Sequence, residues 1–180
     1  MRILTQDTLA VAIDYQEKLI PAIFEKEIVV ENSVKLFLGL KELGVPIIMT
    51  EQYPQGLGHT VEPIAAACKG AKILEKKTFS CYETDGIAAE VKSSGRKNIV
   101  ITGTEAHVCV LQSTIDMIKD GFNVIYVADC VGSRKAIDKK YGIKRAEKEG
   151  AIITTYEALL FELLRASTSS AFRAIAKIVK

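Results

Sequence analysis

A chain of 180 residues that is 48% hydrophobic and 26% charged has the balance of a folded, water-facing protein, long enough to bury a core as one domain spanning 1–180. Its net charge is only +2, and apart from KK at 76–77 and KKYGIKR at 139–145 the basic residues are dispersed, so no nucleic-acid partner is expected. No apolar run approaches the roughly 20 residues that span a bilayer, so no membrane partner is expected either.

The chain opens with MRILTQDTLAVAIDYQ, whose apolar segment is flanked by an acidic residue at each end and carries no cleavage-site pattern. It reads as a first strand, TLAVAID (8–14), instead of a signal peptide. The pattern EIVVENSVKLFLGLKELG (27–44) follows as a helix, then a strand in VPIIMTE (45–51). Further on, TDGIAAEVKSSG (84–95) reads as a helix, NIVITG (98–103) as a strand and VCVLQSTIDMIKDG (108–121) as a helix. NVIYVAD (123–129), KKYGIKRAEKEG (139–150) and AIITT (151–155) continue the alternation, and TYEALLFELLR (155–165) and SSAFRAIAKIVK (169–180) close it as helices. Four of the helical patterns end in Gly44, Gly95, Gly121 or Gly150, each placed as a C-cap ahead of the next strand.

Near-continuous β-branched strands alternating with helices predict a three-layer αβα sandwich around a mostly parallel, doubly wound, Rossmann-like sheet. In that architecture ligands collect beyond the carboxyl ends of the strands. The residues to inspect are therefore Asp14 to Gln16, Glu51 to Tyr53, Thr102 to Cys109 and Asp129 to Ser133.

Asp14 suits a turn cap, and equally a general base within reach of neighbouring strand ends. Cys109 enters the first turn of a helix, where orphan N–H groups and a positive partial charge favour a thiolate and can hold an oxyanion. The other three cysteines, Cys68, Cys81 and Cys130, are widely spaced with no C-x-x-C pair, and reduced thiols in a cytoplasm are the expectation. In LEKKTFSCY (74–82) a β-like backbone would send Lys76 and Lys77 to opposite faces, and spacing does not decide which points inward. The two histidines, His59 and His107, form no H-x-H or H-x-x-x-H pair, and no glycine-rich phosphate loop occurs.

Together these segments resemble the isochorismatase-like cysteine hydrolases, a family that includes nicotinamidases and carbamoylsarcosine amidase. AVAIDYQEKLIPAI (10–23) is similar to the family's strand ending in D-x-Q, LEKKTFSCY to its K-x-x-F-S motif, and ITGTEAHVCV (101–110) to its nucleophile turn. YEALLFELLR (156–165) is similar to its closing helix. The resemblance runs from about residue 5 to the C-terminus and implies a triad of Asp14, Lys76 and Cys109, which selects Lys76 over Lys77. It also implies a cis peptide at Thr104–Glu105 that aims the backbone N–H groups of Glu105 and Cys109 at one oxyanion. Gln16, Tyr53, Phe79 and His107 are candidate pocket walls. Nicotinamidases carry an Asp-x-His metal motif where this chain has TEQYPQG (50–56), so no metal and no other cofactor is expected. The presence of Cys109 favours amide-type chemistry over the family's vinyl-ether hydrolysis.

The expected function is cysteine-dependent hydrolysis of a small C–N substrate through a thioester. The alternatives are a thiol redox sensor and a non-catalytic small-molecule-binding domain on the same fold. An opposite charge shifts a pKa by about 1–3 units, while a helix end contributes roughly 0.3–1 kcal/mol, under one unit. Lys76 should therefore outweigh the helix, ionised Asp14 should oppose both, and the thiol should rest protonated. A homo-oligomer is expected, because the amphipathic segment 169–180 needs an apolar surface, either its own sheet layer or a neighbouring copy, and the resemblance favours the neighbour.

Overall fold

The computed structural model describes residues 1–180. In chain order it runs β1 (Thr8–Ile13), α1 (Lys26–Glu42), β2 (Ile47–Gln52), α2 (Pro54–Leu57), α3 (Glu62–Ala67), β3 (Lys72–Lys76), α4 (Asp85–Ser93) and β4 (Asn98–Thr104). It continues α5 (Cys109–Lys119), β5 (Asn123–Gly132), α6 (Ala136–Lys148), β6 (Ile152–Thr154), α7 (Tyr156–Leu164) and α8 (Phe172–Val179). The six strands form one sheet in the order β3-β2-β1-β4-β5-β6, and every neighbouring pair is parallel.

Strand parity explains why the strands read as continuous apolar runs. In β1, Ala10 and Ala12 point into one core while Leu9, Val11 and Ile13 point into the other. The same alternation places Val100, Ile125 and Val127 on the first face and Ile99, Ile101, Val124 and Tyr126 on the second. α1, α3, α7 and α8 cover the first face through residues such as Leu36, Phe37, Ile64, Leu160 and Ile175. The second is covered by α4 and α5 through Ile87, Val91, Val110 and Met117, with Ala146 of α6. Fully burying one such Leu, Ile or Met contributes about 1.5–3 kcal/mol, so neither layer is dispensable.

The helical patterns stop where glycine permits a left-handed backbone: φ is +72° at Gly44, +66° at Gly95, +92° at Gly121 and +105° at Gly150. Two differences from the sequence reading matter. β3 is a sixth strand, at the sheet edge beside β2, and the short helices α2 and α3 occupy the connection between those two strands. α8 lies on its own chain: Ile175 is fully buried, and Phe172, Ile178 and Val179 pack against the same core as α1 and α7. The segment 169–180 therefore needs no neighbouring copy to cover it. No helix is long and apolar enough to cross a membrane.

Candidate active site

From β1 the chain builds the sheet outward through β2 and β3 on one side and through β4, β5 and β6 on the other. The crevice between the carboxyl ends of β1 and β4 is thus the point where the winding reverses, the usual ligand position in such sheets. Asp14 follows β1 directly and Cys109 follows β4 by a short turn, so the two stand on either side of it.

β4 can close on β1 here because of Gly103. Its φ is +123°, and a Cβ would stand 2.0 Å from the Ile13 carbonyl oxygen, so no other residue fits without moving one strand. Asp14 also has a left-handed backbone, φ +52°. Hydrogen bonds from both flanking strands hold it there: its N–H donates to the Thr50 carbonyl at 3.1 Å, and its carbonyl accepts from Thr104 Oγ1 at 2.6 Å.

Asp14 and Lys76 form an ion pair with no solvent exposure at either side chain, Nζ standing 2.6 Å from Oδ2. Asp14 Oδ1 accepts from Thr50 Oγ1 at 2.8 Å. Oδ2, despite its closeness to the ammonium, has no hydrogen bond of good geometry, which leaves it a buried oxygen able to accept a proton. Lys76 ends β3 and reaches across the end of β2, where its register partner is Gln52. Gln52 Oε1 accepts from Nζ at 2.6 Å, and the Thr78 and Phe79 carbonyls accept at 3.2 Å each. Lys77 is exposed, so the inward lysine is Lys76, as the motif implied.

Cys109 is the first residue of α5 and, at 8% exposure, the most accessible of four buried cysteines. Burial first, then the Asp14 charge, push its thiol up to about 12, with Lys76 pulling the other way. Burial also raises the Asp14 carboxyl above its ordinary value, against the lowering effect of the Lys76 charge and of the polar contacts with Lys76, Thr50 and Cys109. The helix end and the lysine together do not overcome desolvation.

The turn between β4 and α5 contains a cis Thr104–Glu105 peptide. The Glu105 carbonyl accepts from the Val108 and Val110 N–H groups at 3.0 and 3.2 Å. The N–H groups of Glu105 and Cys109 have no partner within the protein.

The four expected wall residues do not behave alike. Tyr53 and Phe79 are exposed beside the site, and Tyr53 lines a cavity of about 310 Å³ with Gln55, Glu75, Lys76 and Thr78. Gln16 is not a wall residue: it is fully buried, and its amide is spent on Gln52 N, Gln52 O and Gly58 O at 2.7, 3.0 and 2.6 Å. A polar side chain two residues past a strand suits a substrate contact, but here it seals the segment 52–58 to the end of β1. His107, in the turn between β4 and α5, points toward the end of β5, with Nδ1 3.0 Å from Ser133 Oγ. A larger groove of about 530 Å³ between α1 and α3 contains none of the strand-end residues.

Sequence reasoning missed Thr50 and Arg134, and gave no side-chain role to Gln52 and Thr104, which lie within the windows inspected. Thr50 and Gln52 fall at the end of β2, where parallel register with Ile13 and Lys76 would have found them. Arg134 lies one residue beyond the window inspected after β5, and its guanidinium holds the Glu105 carboxylate.

The all-parallel six-stranded sheet flanked by helices on both faces is an isochorismatase-like hydrolase fold. The isochorismatase domain model matches residues 8–158, and the chain belongs to the isochorismatase family. It is 40% identical over 172 residues to isochorismatase family protein 1B of Dictyostelium discoideum, covering 93% of this chain and 83% of that one. Among solved structures it is similar to the MAR1 ribonuclease of Caenorhabditis elegans, with a TM-score of 0.93 and 34% identity over 99% of this chain and 92% of that one. The fold is shared with the Escherichia coli YcaC gene product, described as an octameric hydrolase of unknown specificity, at a TM-score of 0.94 and 23% identity over 99% and 89% of the two chains.

Proposed function

We propose that the protein is a cysteine-dependent hydrolase of a small amide-type substrate, acting through a thioester on Cys109. The observation that carries this reading is the fully buried Asp14–Lys76 pair, which faces the most accessible of the four cysteines.

Burial and the Asp14 charge both hold the thiol up, which favours a resting thiol that needs a base over a resting thiolate. Asp14 Oδ2 takes the thiol proton as sulfur attacks the substrate carbonyl. The new C–S bond leaves negative charge on the carbonyl oxygen, which the free N–H groups of Glu105 and Cys109 receive. As the C–N bond breaks, Asp14 gives its proton to the departing amine. Water, deprotonated by Asp14, then attacks the thioester, releasing the acid and restoring the thiol. Lys76 keeps the carboxylate in place and offsets the negative charge that passes between oxygen and sulfur. Tyr53 and Phe79, exposed beside the site, give the substrate apolar contacts.

The experiment is ammonia release from a panel of small primary amides by the parent protein and by Cys109→Ala, with a short RNA as an added arm. Release by the parent alone supports the reading. Release by neither or by both contradicts it. RNA cleavage that survives Cys109→Ala, the activity in the C. elegans protein's name, would put the function outside this triad.

We further propose a homo-oligomer, supported by the octamer named for the E. coli YcaC structure and no longer by α8. Light scattering should give a multiple of 19.7 kDa at micromolar concentration, and the monomer mass would contradict it.

A further inference from the structure

The turn that delivers Cys109 is fastened to the end of β5 by two kinds of link. Neutral hydrogen bonds hold its middle: the Ala106 N–H donates to the Gly132 carbonyl at 2.8 Å, and Tyr126 Oη donates to the Ala106 carbonyl at 2.8 Å. Behind them α6 packs so closely that a Cβ on Gly142 would stand 2.9 Å from the Ala106 carbonyl oxygen. The start of the turn is held by charge. The Glu105 carboxylate, 13% exposed, accepts from the Arg134 N–H at 3.0 Å and from Arg134 Nε at 3.1 Å to each oxygen.

Residue 105 is therefore gripped at two of its three polar ends. Its carbonyl receives the N–H groups of Val108 and Val110, its carboxylate receives Arg134, and only its own N–H is free. With two of those directions fixed, the third follows from the covalent geometry of one residue. Arg134 is 64% exposed and contributes little to the core, so its contact with Glu105 is better suited to aiming a group than to holding up the fold.

We infer that Arg134 is a positioning residue, which through the Glu105 carboxylate keeps the Glu105 N–H turned, with that of Cys109, toward the oxyanion of acyl transfer. The inference rests on the acyl-transfer reading above and adds a part to it. A donor that is misaimed but still present should cost less than the roughly 10²–10³-fold loss on deleting one.

Two reagents that meet the same thiol separate aim from position. p-Nitrophenyl acetate acylates it: the C–S bond forms through a tetrahedral oxyanion, p-nitrophenolate leaves, and the thiol proton passes to Asp14. Iodoacetamide alkylates it by direct displacement of iodide and forms no oxyanion. Both rates at Cys109 are measured by mass spectrometry for the intact parent chain, Arg134→Ala, Glu105→Ala and Glu105→Gln. The two alanine variants should lower acylation by about 10–100-fold while alkylation stays within about twofold, since a misplacement near 1 Å can cost about 10²-fold in an oriented reaction. Glu105→Gln keeps an acceptor oxygen for Arg134 and should retain most of the acylation rate. If Glu105→Ala fails to fold, the exposed Arg134→Ala carries the test. Parallel loss of both rates, or no change in either, would overturn the inference. A parent protein that alkylates but never acylates would overturn the acyl-transfer reading itself, and this inference with it.

Discussion

Replacing Lys76 by Met removes the ammonium from a carboxylate that has no solvent to turn to. It also strands three acceptors, Gln52 Oε1 and the Thr78 and Phe79 carbonyls. Removing one partner of a buried pair typically costs about 3–5 kcal/mol. For a chain of this size that corresponds to a fall in Tm of about 6–20 °C. The loss should depend on pH with a definite sign. Burial already raises the Asp14 carboxyl above its ordinary value near 3.8, and losing the ammonium raises it further. Between the unfolded and folded values the folded state binds the proton that the unfolded state releases, so stability falls as pH rises through that window. Thermal melts of the parent and of Lys76→Met at pH 5 and pH 8 should show the larger deficit at pH 8. Adding Asp14→Asn to Lys76→Met removes both charges and should recover part of the deficit at pH 8, because neutral replacement of a buried pair costs less than breaking it. Equal deficits at both pH values, with the double variant no better than the sum of the singles, would refute the reasoning.

Three further outcomes are expected. Iodoacetamide should label Cys109 before Cys68, Cys81 or Cys130, its rate rising about tenfold per pH unit and still climbing at pH 10, because the thiol is held near 12. A plateau near pH 8 would mean an ordinary thiol. Gly103→Ala should destabilise by about 2–6 kcal/mol, combining a left-handed backbone with overpacking against Ile13, and unchanged melting would show that β4 can move away. Dialysis against a strong chelator should leave turnover unchanged, since no three His, Cys, Asp or Glu residues are grouped to hold a metal; activity lost to chelation and restored by zinc would contradict it.

Much of this architecture was legible because its signals are local. β-branched runs buried on both faces, and glycines whose φ must be positive, leave their marks within a few residues. β3 escaped because KILEK is an edge strand with only Lys76 buried, so it shows no apolar run. α2 and α3 are too short, and carry too much Pro and Gly, for a helical period to emerge. Of the site, the strand-end rule reached Asp14 and Cys109 from residues alone, whereas the choice of Lys76 over Lys77 needed the motif and is visible physically only in the register with Gln52. Gln16 and α8 mark the limit. Sequence says that an amide or an apolar stripe must find a partner, and only the packed chain says which: backbone in one case, α1 and α7 in the other.

Passage of turnover through a covalent acyl group on Cys109 is tested most directly by acid-quenching the parent protein during turnover of a small amide or activated ester and mapping the modified peptide by mass spectrometry. One acyl group is expected, on Cys109, released by hydroxylamine and missing from Cys109→Ala. Turnover with no adduct at Cys109, or turnover undiminished in Cys109→Ala, would contradict it.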